Sequence, residues 1–294
     1  MMETSGASVW GPGALEEHDC PLCGSGRRGA ERYRFPPFAV VRCPDCGLFY
    51  LSPRPPEERA LEAYRDERYF QGRRDEGYRD YRAQEAALRA TFRALLRRLE
   101  RRGITGGSLL EVGCAYGYLL DEARPYFARR EGVDFSAEAL SEAAPRADRV
   151  GLGGLDSAAG GPYDLIVAVQ VIEHVYRPRE LVARATGLLR PGGRLLLATP
   201  DMGSVWRFLW GRRWPSFKVP EHVTFYDRRT LLRLLRDAGL ESIRALPYPH
   251  AFPASLVAGA LGLRVPAGLA GRSLWIPGTT VAMIGQRGAA EGEA

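Results

Sequence analysis

Two five-residue phrases stand near the start of the chain: Cys20, Pro21, Leu22, Cys23, Gly24, and then Cys43, Pro44, Asp45, Cys46, Gly47. Two residues between cysteines let both thiolates reach one ion, and the following glycine permits the positive φ that turns backbone N–H groups toward sulfur. The doubled phrase, with 19 residues between the pairs, predicts a structural zinc site on Cys20, Cys23, Cys43 and Cys46. Four protein ligands leave no open coordination position for catalysis. Disulfides or unrelated thiols are the alternative reading. The fifth cysteine, Cys114, reads as a small buried residue with no base beside it in sequence.

A second set of candidate groups lies mid-chain. An apolar run at 109–112 meets Gly113, Cys114, Ala115, Tyr116 and Gly117, a glycine-rich turn of the kind that leads a strand into a helix. A dinucleotide fingerprint starting at Gly113 needs glycine at 115 and a small residue at 118, but Ala115 and Tyr118 stand there. A nucleoside without pyrophosphate fits better. Asp134 follows Gly113 by 21 residues, placed to accept hydrogen bonds from ribose hydroxyls. Of the four histidines, His222 and His174 are the candidate bases, His222 first, because an imidazole titrates near neutrality. Tyr226, in the same short segment as His222, is a third catalytic candidate. Scaffold histidines held by hydrogen bonds are the plainer alternative. Beyond the cysteines, no metal-dependent catalytic set is evident in the sequence.

These groups need elements to hold them. Residues 32–41 read as the strands of a small ribbon between the cysteine pairs, and 52–58 as a linker rich in proline and charge. In 83–102, Leu88, Phe92, Leu95, Leu96 and Leu99 fall on one face of a helix stopped by Gly103. From 108 onward strands alternate with helices: strands at 109–112, 132–135, 165–171 and 194–199, helices at 118–127, 137–144 and 178–189. Continuous apolar runs at 165–171 and 194–199 suit strands buried on both faces. The pattern predicts a doubly wound, Rossmann-like α/β sheet. A helix at 228–238 and strands near 242–246 and 279–285 can complete it.

Leu110, Glu111, Val112, Gly113, Cys114, Ala115, Tyr116 and Gly117 together resemble the first motif of the class I S-adenosylmethionine-dependent methyltransferases. Gly132, Val133 and Asp134 resemble their second, Tyr163 and Asp164 through Glu173 and His174 their fourth-strand motif, and Pro191, Gly192, Gly193 and Arg194 the turn before their fifth strand. The likeness runs in order over about 105–200 and extends, through 206–240, to a bacterial subgroup that often carries an N-terminal cysteine ribbon. It implies that Glu111, Gly113, Cys114, Ala115 and Gly117 surround the methionine part of the cofactor, that Asp134 holds the ribose, that Phe135 packs on adenine, that Asp156 approaches it, and that Gln170 closes the site. Ala115 departs from the family's usual glycine. The implied organisation is a tail at 1–18, a zinc ribbon at 19–51, a linker and helical lid at 52–104, and a methyltransferase domain at 105–294. An acceptor-binding insertion at about 201–228 contains Trp206, Trp210 and Trp214. Tyr64, Tyr69, Phe70, Tyr78 and Tyr81 are candidate lid residues.

The 294 residues, 45% of them hydrophobic, suffice for a substantial core. Forty-one basic against 35 acidic residues give +6, which four thiolates and one zinc dication would lower to +4. Lys218 is the only lysine, so the excess is mild and almost all arginine, a poor case for a nucleic-acid groove. The start shows no charged segment leading into an apolar stretch, and Pro253, Arg264 and Pro266 interrupt the apolar run 251–270. A cytoplasmic protein without a transmembrane segment is the expectation, with the run 251–270 as core helix. The favoured reading is methyl transfer to a small-molecule acceptor: a sugar, a lipid-linked compound or a natural-product intermediate. A ribosomal-RNA methyltransferase with a zinc ribbon and a non-catalytic ribbon protein are the alternatives. Oligomeric state is not legible.

Overall fold

In the computed structural model, residues 15–65, 81–248, 250–260 and 272–289 are described. Three strands, β1 (Ala30–Phe35), β2 (Phe38–Arg42) and β3 (Phe49–Leu51), build the ribbon. A helix α1 (Glu57–Arg65) follows, and α2 (Glu85–Glu100) buries Phe92, Leu95, Leu96 and Leu99 as the helical spacing requires.

The main unit alternates β4 (Ser108–Val112), α3 (Tyr118–Glu122), β5 (Arg129–Asp134), α4 (Ala137–Ala143), β6 (Arg149–Leu152), β7 (Tyr163–Val169), α5 (Pro178–Leu188) and β8 (Leu189–Pro200). There follow α6 (Val205–Trp210), β9 (Thr224–Phe225), α7 (Arg228–Asp237), β10 (Leu240–Ala245), β11 (Ala251–Pro253), α8 (Ala254–Ala260), β12 (Ser273–Trp275) and β13 (Thr280–Arg287). Seven strands form one sheet in the order β10-β13-β8-β7-β4-β5-β6. The pairs from β8 to β6 are parallel, and β13 lies antiparallel to both β8 and β10.

Side chains of the central strands divide between two cores with the period of two that a pleated strand imposes. Leu110, Ile166, Ala168, Leu195 and Leu197 pack with Val182 and Ala185 of α5 and Leu231, Leu234 and Leu235 of α7. On the opposite face, Leu109, Leu165, Val167, Leu196 and Ala198 meet α2, α3 and α4. Two apolar faces explain why these strands read as unbroken apolar runs. At the head of α7, Asp227 accepts from the Thr230 N–H at 2.8 Å in a reciprocal capping box.

The ribbon is not an appendage. Cys20, Leu22, Cys43, Cys46 and Leu48 belong to the same core as α5, α7 and the sheet. Its sheet also gains a fourth strand from far along the chain, because β9 pairs with β3 through Phe49 opposite Phe225 and Tyr50 opposite Thr224. The run expected as core helix instead gives β11 and the partly exposed α8; residues 261–271 lie outside the described part. Among the described residues, no helix is long and apolar enough to cross a membrane.

Candidate active site and metal centre

The four cysteine sulfurs lie within 4.8 Å of one another, with Cys20 to Cys46 at 3.5 Å and Cys23 to Cys43 at 3.6 Å. Tetrahedral zinc with Zn–S bonds of about 2.3 Å sets its sulfurs about 3.8 Å apart, so the cluster fits a zinc ribbon. Both knuckles close alike: Gly24 N–H donates to the Cys20 carbonyl at 2.8 Å and Gly47 N–H to the Cys43 carbonyl at 3.1 Å. Backbone N–H groups of Leu22 and Cys23 face the Cys20 sulfur, and that of Leu48 faces the Cys46 sulfur.

At the carboxyl edge of the large sheet, β4 delivers Gly113 and the loop that enters α3 at Gly117. Gly113 has φ +69°, and a Cβ there would sit 2.5 Å from Val171 Cγ2, so only glycine lets the loop pass this close. Ala115 holds φ +44°, an uncommon conformation for a residue with a Cβ. Its N–H donates to Asp134 Oδ2 at 2.8 Å, while Ser136 N–H donates to Oδ1 at 2.9 Å. Asp134 therefore pins the strained loop through Oδ2 and its own following turn through Oδ1, and burial raises its pKa above the usual carboxylate value. Gln170 across the cleft has φ +56°.

Between these loops lies a cleft of about 430 Å³. Gly113, Ala115, Asp134, Phe135, Asp156, Gln170 and His174 all line it. Phe135 is 38% exposed, and Asp156 is ion-paired with Arg184. Glu111 stands behind, 4% exposed; its Oε2 is buried without a hydrogen-bond partner, and so is Nε2 of Gln170. Burial, then the charge of Asp134, holds Glu111 well above the ordinary carboxylate pKa. Cys114 is buried with its sulfur against Gly132, where a Cβ would come within 2.7 Å of it; it backs the loop and does not line the cleft.

His174 ends a short turn, 172–174, after β7 and stands in the cleft wall. Its Nδ1 lies 3.1 Å from the Glu221 carbonyl, and Nδ1 of His222 lies 2.9 Å from the Ser216 carbonyl. A carbonyl only accepts, so each Nδ1 carries the proton and each neutral ring keeps its lone pair on Nε2. Burial lowers the His174 pKa to about 3, and burial together with His174 and Lys218 depresses that of His222. The rings meet edge to face at 4.6 Å. Glu173, 1% exposed, accepts from Thr199 Oγ1 at 2.9 Å through Oε2, and burial raises its pKa to about 7.

A methyltransferase-domain family matches residues 78–245. This chain belongs to that family. The methyltransferase is 28% identical over 159 residues to a ubiquinone biosynthesis O-methyltransferase of Aromatoleum aromaticum, covering 49% of this chain and 68% of that one. A second ubiquinone biosynthesis O-methyltransferase, of Burkholderia pseudomallei, is 25% identical to it over 155 residues, covering 48% and 67%. The fold of this chain matches the magnesium protoporphyrin IX methyltransferase of Synechocystis, solved with bound S-adenosylhomocysteine, with a TM-score of 0.53 at 14% identity over 79% of this chain and 99% of that one. It is a class I S-adenosylmethionine-dependent methyltransferase with an N-terminal four-cysteine ribbon.

In this methyltransferase, one ligand atom each of Glu173, His174 and His222 come within 4.8 Å of one another, a grouping invisible to local spacing. Val223 N–H donates to the Glu173 carbonyl at 2.9 Å and Thr224 Oγ1 to the Ile172 carbonyl at 3.1 Å, which explains how a segment far along the chain reaches the turn. His222 is 3% exposed and Tyr226 fully buried, and neither lines the cleft. Nor does any residue of 201–228: Trp214, Val223 and Phe225 pack instead on Phe38, Val40 and Leu51 of the ribbon. Sequence reasoning missed Tyr176, Arg177 and Leu181 of the cleft wall, which carry no motif. Tyr81 does line it, whereas Tyr64, Tyr69, Phe70 and Tyr78 lie outside the side chains described.

Proposed function

We propose that the cleft binds S-adenosylmethionine against the Gly113 loop and transfers its methyl group to a hydroxyl of a small-molecule acceptor held beside His174. Two observations fit the methyl donor to this cleft: buried Glu111 Oε2 and Gln170 Nε2 lack partners, and strained Ala115 and Gln170 flank the opening. Such strain persists where the surroundings over-determine it, commonly at binding sites. Asp134 would hold the ribose hydroxyls with lone pairs left after bonding the loop, Phe135 the adenine, and the Glu111 carboxylate would offset the positive charge of the methionyl amine. The donor supplies an activated methyl on a sulfonium. The chain's own work is to align the acceptor oxygen in line and to exclude water.

His174 carries the assignment, as the one histidine of the pair in the cleft wall. Its imidazole is the proton acceptor of this reading, and the nearby Glu173, once ionised near pH 7, would lift the ring's basicity above the low value that burial imposes and support the imidazolium that forms. His222, buried behind it, is a positioning residue, and Tyr226 fills the core between this turn and the ribbon. The cleft sets Arg177 and Arg184 against Glu57, Asp134, Asp156 and Glu180, a mixed lining suited to a small molecule rather than a polyphosphate backbone. The relatives named as O-methyltransferases support a hydroxyl acceptor. The ribbon cysteines would hold one structural zinc.

Labelled methyl transfer to phenols and hydroxylated sugars tests the reading. His174→Ala is expected to lower kcat about 10²-fold or more with cofactor affinity unchanged, and His222→Ala to lower it less. Unchanged turnover in His174→Ala would remove it from the mechanism.

A further inference from the structure

The described residues expose seven large apolar side chains, and five of them, Val205, Phe208, Leu209, Leu274 and Trp275, belong to two neighbouring elements. Val205, Phe208 and Leu209 share one face of α6 by their three- and four-residue spacing, and they are 59%, 66% and 70% exposed. Leu274 and Trp275, 46% and 51% exposed, sit on β12. The two elements are tied together, since Trp206 Nε1 donates to the Pro277 carbonyl at 2.7 Å and Ser204 Oγ donates to that of Gly278. Both adjoin the carboxyl end of β8, where Asp201 N–H donates to the Thr279 carbonyl at 3.0 Å, the sheet edge that carries the cofactor loop.

Charge decides what would cover this face. Between Asp201 and Glu221 the chain has Arg207, Arg212, Arg213 and Lys218 and no carboxylate; between Glu241 and Glu291 it has Arg244, Arg264, Arg272 and Arg287 and again none. Arg212, Arg213 and Arg272 are exposed, and none forms an ion pair among the described residues. Asp201 and Asp227 lie only at the foot of α6, beside Gly203, and the exposed Arg212, Arg213 and Arg272 adjoin the two elements in sequence. Phenylalanine, leucine and tryptophan projecting from short elements beside such arginines match a bilayer boundary carrying anionic headgroups. We infer that this face rests on a membrane surface containing anionic phospholipid and holds the enzyme there peripherally. The inference does not depend on the acceptor assigned above.

Co-sedimentation of the full chain with phosphatidylglycerol-containing vesicles, and with pure phosphatidylcholine vesicles, tests it. The expected result is binding to the anionic vesicles that weakens with added salt and falls about tenfold or more in Phe208→Ser combined with Leu209→Ser. S-adenosylhomocysteine affinity, measured on the same variant, should stay at the wild-type value and so report an intact fold. Absence of binding to anionic vesicles at low salt would overturn the inference. So would undiminished binding by the variant, equal binding to both vesicle types, or a salt-stable dimer that the same substitutions dissociate.

Discussion

Glu173 is a carboxyl group almost wholly removed from water, with one oxygen satisfied by Thr199 and the other buried without a partner. Burial raises its folded pKa to about 7 from 4.5. A raised folded pKa means that the native state holds the proton more tightly than the unfolded chain. The resulting stability is fully present below about pH 4.5 and is lost as pH rises through about 7. Glu173→Gln keeps an oxygen for Thr199 and a donor in place of the acid proton at every pH. Relative to wild type, the variant should therefore gain about 2 kcal/mol between pH 5 and pH 8, read as the change in denaturation midpoints at the two pH values; parallel pH dependences would show that Glu173 ionises normally. Gly113, Asp134 and His174 were visible in sequence because each belongs to a short local pattern. Glu173 and His222 as neighbours were not, because their meeting depends on backbone bonds from 223–224 to the 172–174 turn.

Among elements, β9 is the least legible and connects the most. It is two residues long and pairs with a strand more than 170 positions earlier, so no local periodicity announces it. Leu51 N–H donates to the Val223 carbonyl at 2.9 Å, just as Val223 N–H reaches the Glu173 carbonyl, and β9 thus links the ribbon to the turn bearing His174. The edge strand β6 also escaped sequence reading, since Arg149, Val150, Gly151 and Leu152 make too short and mixed a run to signal a strand. The central strands were legible as unbroken apolar runs because both of their faces are buried, and α2 because its burial repeats at the helical period. The link through β9 has a consequence for the metal. Removing zinc should lower the thermal midpoint by about 5 °C or more and raise amide exchange at Leu51 and Thr224 together, as followed by calorimetry and hydrogen exchange. A chelated protein with unchanged exchange at Thr224 would show that the ribbon does not brace the site.

For the molecule as a whole, the ribbon and the α/β unit share a core in which the cysteines pack with α5 and α7. That continuity was hidden in a sequence that presents the ribbon as a separate module ahead of a linker. The alternation of strands and helices made a doubly wound sheet with the loop at a strand's carboxyl end legible; the strand order and the antiparallel insertion of β13 between β8 and β10 were not, because order and direction leave no mark in an apolar run. We place S-adenosylmethionine in the cleft between Gly113, Asp134 and Gln170. Calorimetric titration of S-adenosylhomocysteine into the wild type and Asp134→Ala tests it most directly. One equivalent should bind the wild type, with affinity falling about tenfold or more in the variant, which loses both the ribose acceptor and the bond that holds the loop. Equal affinity in the two proteins, or no binding to the wild type, would contradict it.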